Sequence, residues 1–243
     1  ARTGQLLDIV EGRDATAPAV WLDARDPQWL AGVRWAVMDM SGPYKAVFDT
    51  MLPDAEQVID PFHVVKHANS KLDECRRRVQ NETLGHRGRR TDPLYRCRKL
   101  LLKAEERLDP VGSTKLTGLL RAGDPRGEVA YAWHAKEAVR FLYDIPNPDL
   151  ADRYLAELAA DLQDSDFPIE VRSLGRTLAR WQVEIVNWHR ARATNGPAEA
   201  INNLVKRVKR AAFGFRKFRH YRIRSLLYAG RPDWNLLTTI TPH

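Results

Sequence analysis

The chain has 243 residues, 44% of them hydrophobic, which is enough to bury a sizeable core and excludes wholesale disorder. Lys and Arg outnumber Asp and Glu 39 to 31, a formal charge of +8, which fits a polyanionic partner without requiring one. Two cysteines, Cys75 and Cys97, stand alone with no CxxC pair, so neither a zinc ribbon nor a disulfide framework has support. No apolar run of about 18 residues and no leader pattern occurs, so the reading is a soluble, cytoplasmic chain with no membrane partner. The first residue is not Met and an apparent strand lies close to it, which reads as a fragment or a trimmed sequence.

The first 60 residues read as alternating strand and helix. Gln5–Val10 is a short apolar run closed by Glu11-Gly12-Arg13-Asp14, a strand and a turn. Thr16 to Leu30 carries Val20, Trp21 and Leu22 and reads as helix despite Pro18 and Pro27. Val33–Met38 is a strand stopped by Asp39 and the turn residues Ser41-Gly42-Pro43. Tyr44, Val47, Phe48 and Met51 then recur at three and four residues, one face of a helix that Pro53 ends. Ala55–Ile59 is another strand, and Asp60-Pro61 opens a helix with a capping carboxylate and proline in its first turn. Such alternation implies a partly parallel sheet with helices packed on it.

Strand signals then stop. Phe62 to about Asp161 is rich in Leu, Ala, Arg, Lys and Glu, which favours helix. Phe62, Val65, Asn69, Leu72 and Arg76 make a mixed face, and Leu100, Leu101, Ala104 and Leu108 a clearer one. Glu128–Leu142 and Leu150–Leu162 read as further helices, with breaks at Gly85–Gly88, Asp109-Pro110, Gly123–Pro125 and Pro146–Pro148. A long helix follows from Ile169 to about Ala193.

The helix that starts at Pro197 carries the most information. Ile201, Leu204, Val205, Val208 and Ala212 form an apolar stripe; Glu199, Asn202, Asn203, Lys206 and Arg210 share the other side. A carboxylate, then amides, then cations is a layout for holding a metal and gripping phosphates. The same layout also simply suits the helix dipole. Beyond it, Phe213 to Arg224 interleaves aromatics with cations, as phosphate contacts and base stacking require. With Lys206, Arg207, Lys209 and Arg210 counted in, the basic excess of the protein reads as concentrated here. Asp39 ends an apolar strand, where α/β sheets build sites, and it either binds a cation or caps the next helix. Asp60 sits similarly but has an explicit cap role. His63 and His67 are i, i+4 partners with no third ligand nearby, so a structural role is the plainer reading.

Val37–Tyr44, Pro53–His63 and Leu72–Arg78 closely resemble the transposases of the IS-L-three type of bacterial insertion sequence. Thr194–Asn203 and Arg210–Arg216 resemble that family's final acidic motif, so the likeness covers nearly the entire chain. It implies an α/β fold: an RNase H-like core, incomplete at its N-terminus, with a large all-helical insertion. The expected divisions are 1–63 for the first part of the core, 64–165 for the insertion, 166–230 for the final helices and 231–243 for a tail. The family's catalytic triad is two aspartates and a glutamate; by motif the second aspartate maps to Asp39 and the glutamate to Glu199. Asp60, His63, Asn195 and Asn202 also match motif positions and are expected to support those carboxylates from behind. The family's first aspartate lies on a strand upstream of a segment like Leu7–Arg13, so that strand, its aspartate and the N-terminal zinc-binding and helix-turn-helix regions are expected to be missing. Asp8 falls on the second strand by motif.

The resemblance implies metal-dependent DNA strand cleavage and strand transfer, with two Mg²⁺ (or Mn²⁺) ions about 3.5–4 Å apart. It implies double-stranded DNA as partner, both element ends and target, met by a homo-oligomer at the bacterial nucleoid. Lys206, Arg207, Lys209, Arg210, Arg216, Lys217 and Arg219 would contact the DNA. Two alternatives stay open: a non-catalytic DNA-binding remnant or domesticated derivative, and a different RNase H-like nuclease or resolvase.

Overall fold

The computed structural model describes residues 4–12, 14–232 and 234. Among these, helix dominates and the only sheet is a parallel pair of short strands, β1 (Trp35–Met38) and β2 (Glu56–Ile59). The chain divides into two compact units: residues 1–57 with 193–243, and residues 58–192.

The first unit contains α1 (Thr16–Asp23), α2 (Pro27–Ala31), β1, α3 (Gly42–Met51), the start of β2, α11 (Gly196–Ala211) and α12 (Phe218–Ala229). β1 alternates half-buried and buried residues, with Ala36 and Met38 inward. α3 packs on β1 and α1, with Val47 as its buried contact, while Tyr44 on the expected face is exposed. The expected strand over Gln5–Val10 is absent from the described residues. Its backbone and side-chain groups find partners other than a strand: the Leu6 amide donates to the Ala229 carbonyl at 3.0 Å, and the Gln5 side chain to the Gly230 carbonyl at 2.6 Å. Ile9 donates to the Asp8 carboxylate at 2.7 Å. Gly230 permits the approach, since a Cβ there would lie 2.5 Å from the Leu226 oxygen and 3.3 Å from that of Leu6. The single helix expected over Thr16–Leu30 is two, because Asp26 leaves helical geometry and caps α2, accepting from Gln28 at 2.7 Å.

The second unit is helical: α4 (Pro61–Leu84), α5 (Pro93–Leu101), α6 (Pro110–Gly123), α7 (Glu128–Phe141), α8 (Pro148–Asp161), α9 (Ile169–Arg180) and α10 (Gln182–Ala191). α4 packs along α7 and α9, α5 lies on α6, and α8 meets α9 and α10. α4 runs for 24 residues with Val64, Ala68, Leu72, Cys75 and Val79 inward. Its expected face was drawn one residue off at the start, because Phe62 is exposed and Val64 is not. The helix expected from Ile169 to Ala193 breaks at Trp181, whose backbone turns (φ −108°, ψ 17°) as its indole is buried. No Pro or Gly marks that break.

Charged side chains tie these helices together. Arg78 on α4 donates to Glu170 on α9 (2.8 and 3.0 Å) and to Glu128 at the start of α7 (2.6 Å). Burial raises the Glu170 carboxyl, but the Arg78 hydrogen bonds outweigh it and hold it below its ordinary value. Lys136 is 1% exposed and donates to the carbonyls of Leu101 and Lys103 at 2.9 and 2.8 Å, satisfying the end of α5. Replacing Arg78 by Gln leaves two carboxylates facing a neutral amide and is expected to destabilise the unit by roughly 2–4 kcal/mol in denaturant titration. Because the Glu170 carboxyl is depressed on folding, its contribution is present above its ordinary pKa of 4.5 and is lost as pH falls below it. Arg78→Gln should therefore flatten the acid limb of the stability curve; an unchanged limb would contradict this assignment.

Candidate functional site

β1 delivers Asp39 to the first unit's surface. The strand ends at Met38, and the Ser41 amide turns back to the Asp39 carbonyl at 2.7 Å, leaving the Asp39 side chain exposed. From a distant part of the sequence, Asn195 reaches it: Asn195 Nδ2 donates to Asp39 Oδ1 at 2.8 Å, 156 positions away along the chain. Asn195 also starts α11, and its carbonyl accepts the Glu199 amide at 2.9 Å. Glu199 therefore lies one helical turn beyond the residue that holds Asp39, in the first turn of α11, where the helix dipole favours a carboxylate. Asn202 is exposed one further turn along the same side.

Asp60 and His63 belong to the second unit. Asp60 is buried, caps α4 by accepting from the Phe62 amide at 2.8 Å, and adds its charge to the effects that raise the buried Tyr143 hydroxyl. His63 follows in the first turn of α4, edge-on to the Phe62 ring. His67 is half-buried, and burial, then Lys71, pushes its pKa down. Among the described residues, no three of His, Cys, Asp and Glu gather into a metal-holding group.

On α11, Val205 is buried and Ile201, Leu204 and Val208 are half-buried, while Lys206, Arg207, Lys209 and Arg210 are exposed. Arg216, Lys217 and Arg219 are exposed as well. α11 packs on α12, and between them the chain turns through Phe213 (φ 50°) and Gly214 (φ 98°). A phenylalanine at positive φ is an unfavourable backbone choice, and its ring is fully exposed here. Sequence reading treated Phe213 as one aromatic among several; nothing local distinguishes it from Phe215 and Phe218, which are half-buried.

Asp8 is committed elsewhere. Both its oxygens accept from Arg222 on α12 (2.6 and 2.8 Å), and Trp21 Nε1 on α1 donates to it at 2.8 Å. These contacts, the Arg222 hydrogen bonds foremost, lower its pKa to about 2 against the opposing effect of burial. It ties the opening segment and α1 to α12.

The sequence matches the model of a transposase family, the DDE type of the IS-L-three elements, over residues 1–225. The chain belongs to that family of insertion-sequence transposases. It is 27% identical over 237 residues to the transposase for insertion sequence element IS1557 of Mycobacterium tuberculosis, covering 88% of this chain and 52% of that protein. It is 24% identical over 213 residues to the transposase for insertion sequence element IS1001 of Bordetella parapertussis, covering 87% and 51%. The chain thus spans about half the length of the curated relatives it matches. No solved structure matches it. No helix among the described residues is long and apolar enough to cross a membrane.

Since folding lowers the Asp8 pKa, the contribution of this contact is fully present above 3.8 and fades as pH falls toward about 2. Side-chain carboxyl NMR should follow Asp8 to a midpoint near about 2. In Asp8→Asn, the Leu6 amide and the amides of α12 should exchange faster while those of α4 and α7 do not. Uniform acceleration across both units would count against a local anchor.

Proposed function

We propose that this chain is the catalytic region of a DDE transposase, an RNase H-like core in which Asp39 and Glu199 are two of the carboxylates that hold divalent metal ions. The observation that supports this most is the Asn195 side chain on Asp39, with Glu199 one turn further along the same helix. The side chains there, two carboxylates and a carboxamide, offer oxygen ligands only, the kind that Mg²⁺ or Mn²⁺ prefers. Two such ions, when bound, supply activation of the attacking hydroxyl and stabilisation of the leaving oxygen in strand cleavage and strand transfer. Asn195 fixes the rotamer of Asp39, so that its remaining oxygen lone pairs keep a constant direction. Asp60, His63 and Asn202 are assigned supporting roles on their motif positions alone.

Around this centre, Lys206, Arg207, Lys209, Arg210, Arg216, Lys217 and Arg219 neutralise the backbone of double-stranded DNA, element end or target. The exposed Phe213 ring stacks on a base beside them. The second unit is then the helical insertion, expected over 64–165, that separates the two acidic motifs. Work on paired ends calls for a homo-oligomer at the bacterial nucleoid.

Two measurements test this. Manganese EPR on the chain should show Mn²⁺ binding that Asp39→Asn and Glu199→Gln each weaken, while Asn195→Ala weakens it about 10–100-fold. The same changes placed in the element's transposase gene should lower excision at least about 10³-fold for Asp39→Asn and Glu199→Gln. Excision, or any other function of the protein on DNA, that survives both carboxylate changes would instead favour a non-catalytic DNA-binding derivative.

A further inference from the structure

The charge of the chain is arranged unevenly. Residues 206–224 carry nine Lys and Arg and no Asp or Glu. Residues 76–103 carry ten Lys and Arg against two acids, Glu82 and Asp92, a net +8. Since the whole chain is +8, the remaining residues sum to −9, so the basic excess is not concentrated at the C-terminal helices alone. The second basic stretch lies wholly in the second unit.

Four of its ten cations are committed within the protein. Arg78 holds Glu170 and Glu128, and Arg76, almost fully buried, pairs with Asp73 at 2.6 Å. Arg77 also pairs with Asp73, at 3.1 Å. Arg98 lies 3.8 Å over the Tyr95 ring and donates to the Tyr95 carbonyl at 2.6 Å. The other six, Arg87, Arg89, Arg90, Arg96, Lys99 and Lys103, are exposed, and none makes an ion pair among the described residues.

They stand on a built surface. Gly85, at φ 66°, ends α4 and turns the chain. Asp92, buried, then pins the loop that carries three of the arginines: its carboxylate accepts the Arg89 amide at 2.5 Å and the Gln80 amide group at 3.4 Å. Gly88 lies flat on Tyr95, where a Cβ would come within 2.8 Å of the ring. On α5, Leu94, Cys97 and Leu101 face inward, so Arg96 and Lys99 share the outer face with Lys103 just beyond. Between the outer side of α4, the loop and Tyr95, a groove of about 520 Å³ is lined by Glu74, Arg77, Asn81, Arg87, Gly88 and Tyr95. The opposite charge is gathered elsewhere in the unit: residues 144–166, on and around α8, carry seven acids and one arginine.

We propose that the loop after α4 and the outer face of α5 form a second contact surface for the phosphate backbone of duplex DNA, independent of α11 and α12. This rests on the transposase reading above. Arginine prevails, four of the six exposed cations, and its planar fork matches phosphate oxygens. The pinned loop holds the charges in place before the ligand arrives, and cations on a fixed surface contact phosphates, a contact that positions DNA without by itself selecting a sequence.

The test is duplex affinity of the full chain against salt, by fluorescence anisotropy on a 30-base-pair duplex of arbitrary sequence. Each phosphate contact contributes about 0.9 to the slope of log affinity on log salt. The variant Arg87→Gln, Arg90→Gln, Arg96→Gln, Lys99→Gln should lower that slope by about 3–4, equally for unrelated sequences. Single changes at Arg90 and Arg96 should each lower it by about 1, which guards against misfolding of the fourfold variant. An unchanged slope in these variants, with a slope reduced by Lys206→Gln, Lys209→Gln and Arg210→Gln, would overturn the second surface and leave the transposase reading standing. No salt-dependent duplex binding by the parent chain would overturn both. Displacement of the duplex from this surface by poly-glutamate at equal charge concentration would point to an acidic protein and overturn the assignment to DNA.

Discussion

The chain enters and leaves its helical unit beside one aromatic residue. Tyr143 feels the charge of Asp60, two residues after the unit begins, and its ring stacks on that of His189 with centroids 5.9 Å apart and planes 1° from parallel. Trp188 meets the same tyrosine edge-on at 5.3 Å, and Arg192 lies over Trp188 at 4.5 Å while donating to the Pro146 carbonyl. Residues 60, 143 and 188–192 are thus gathered at one place. The first unit depends on this, because it is made of two stretches of chain, 1–57 and 193–243, that must come together. Loop closure costs only about 0.6 kcal/mol per doubling of length, so a long insertion is tolerated provided that its ends meet.

That closure is what brings Asp39 and α11 together. A hydrogen bond between residues 156 positions apart cannot hold a fold together, since an exposed contact of this kind contributes about 1 kcal/mol. It is set by packing elsewhere and then fixes orientation. The Asp8 contact with Arg222 and Trp21 does the corresponding work at the other end of the unit, binding the opening segment to α12. The acidic groups of this unit are therefore divided by role. Asp8 is saturated by a cation and an indole, Asp26 accepts from backbone amides, and Asp39, exposed, accepts from the Asn195 side chain, with Glu199 exposed one turn further along α11.

What could be read from the sequence follows from the range of each interaction. The helix start at Asp60-Pro61 was legible because a cap and a first-turn proline act within three residues, whereas Asp109-Pro110 and Pro146–Pro148 read only as breaks. β1, β2 and the two faces of α11 were legible from the local apolar pattern. The opening segment was not, because an apolar run becomes a strand only if a partner ladder is present, and here Ala229 and the Asp8 side chain take its amides. The break at Trp181 was hidden by a residue with no helix-breaking chemistry, turned by burial of its ring. Arg78, Glu128 and Glu170 looked like ordinary surface charges, since only folding brings positions 92 and 50 apart into contact. Lys136 broke the usual expectation for lysine in the same way. Motif position marked Asn195 only as a supporting residue, and no pattern in the sequence paired it with Asp39. The Arg76–Lys103 charge is legible by count alone, although it lacks the dense interleaving of aromatics with cations found over Phe213–Arg224.

That counting changes what the net charge means. A protein at +8 with its charges mixed would attract any polyanion weakly from all sides. Here two stretches of +9 and +8 are offset by −9 over everything else, with α8 and its flanks the most acidic segment. At physiological salt a charge is screened beyond about 8 Å, so a polyanion responds to the nearest patch and not to the total. On the DNA reading proposed above, the acidic segment 144–166 would disfavour approach of a duplex through α8, and neutralising it would raise general affinity while costing orientation. The pI of a chain is in this respect a poor guide to its charged surfaces; the sign of each element, taken one at a time, carries the information.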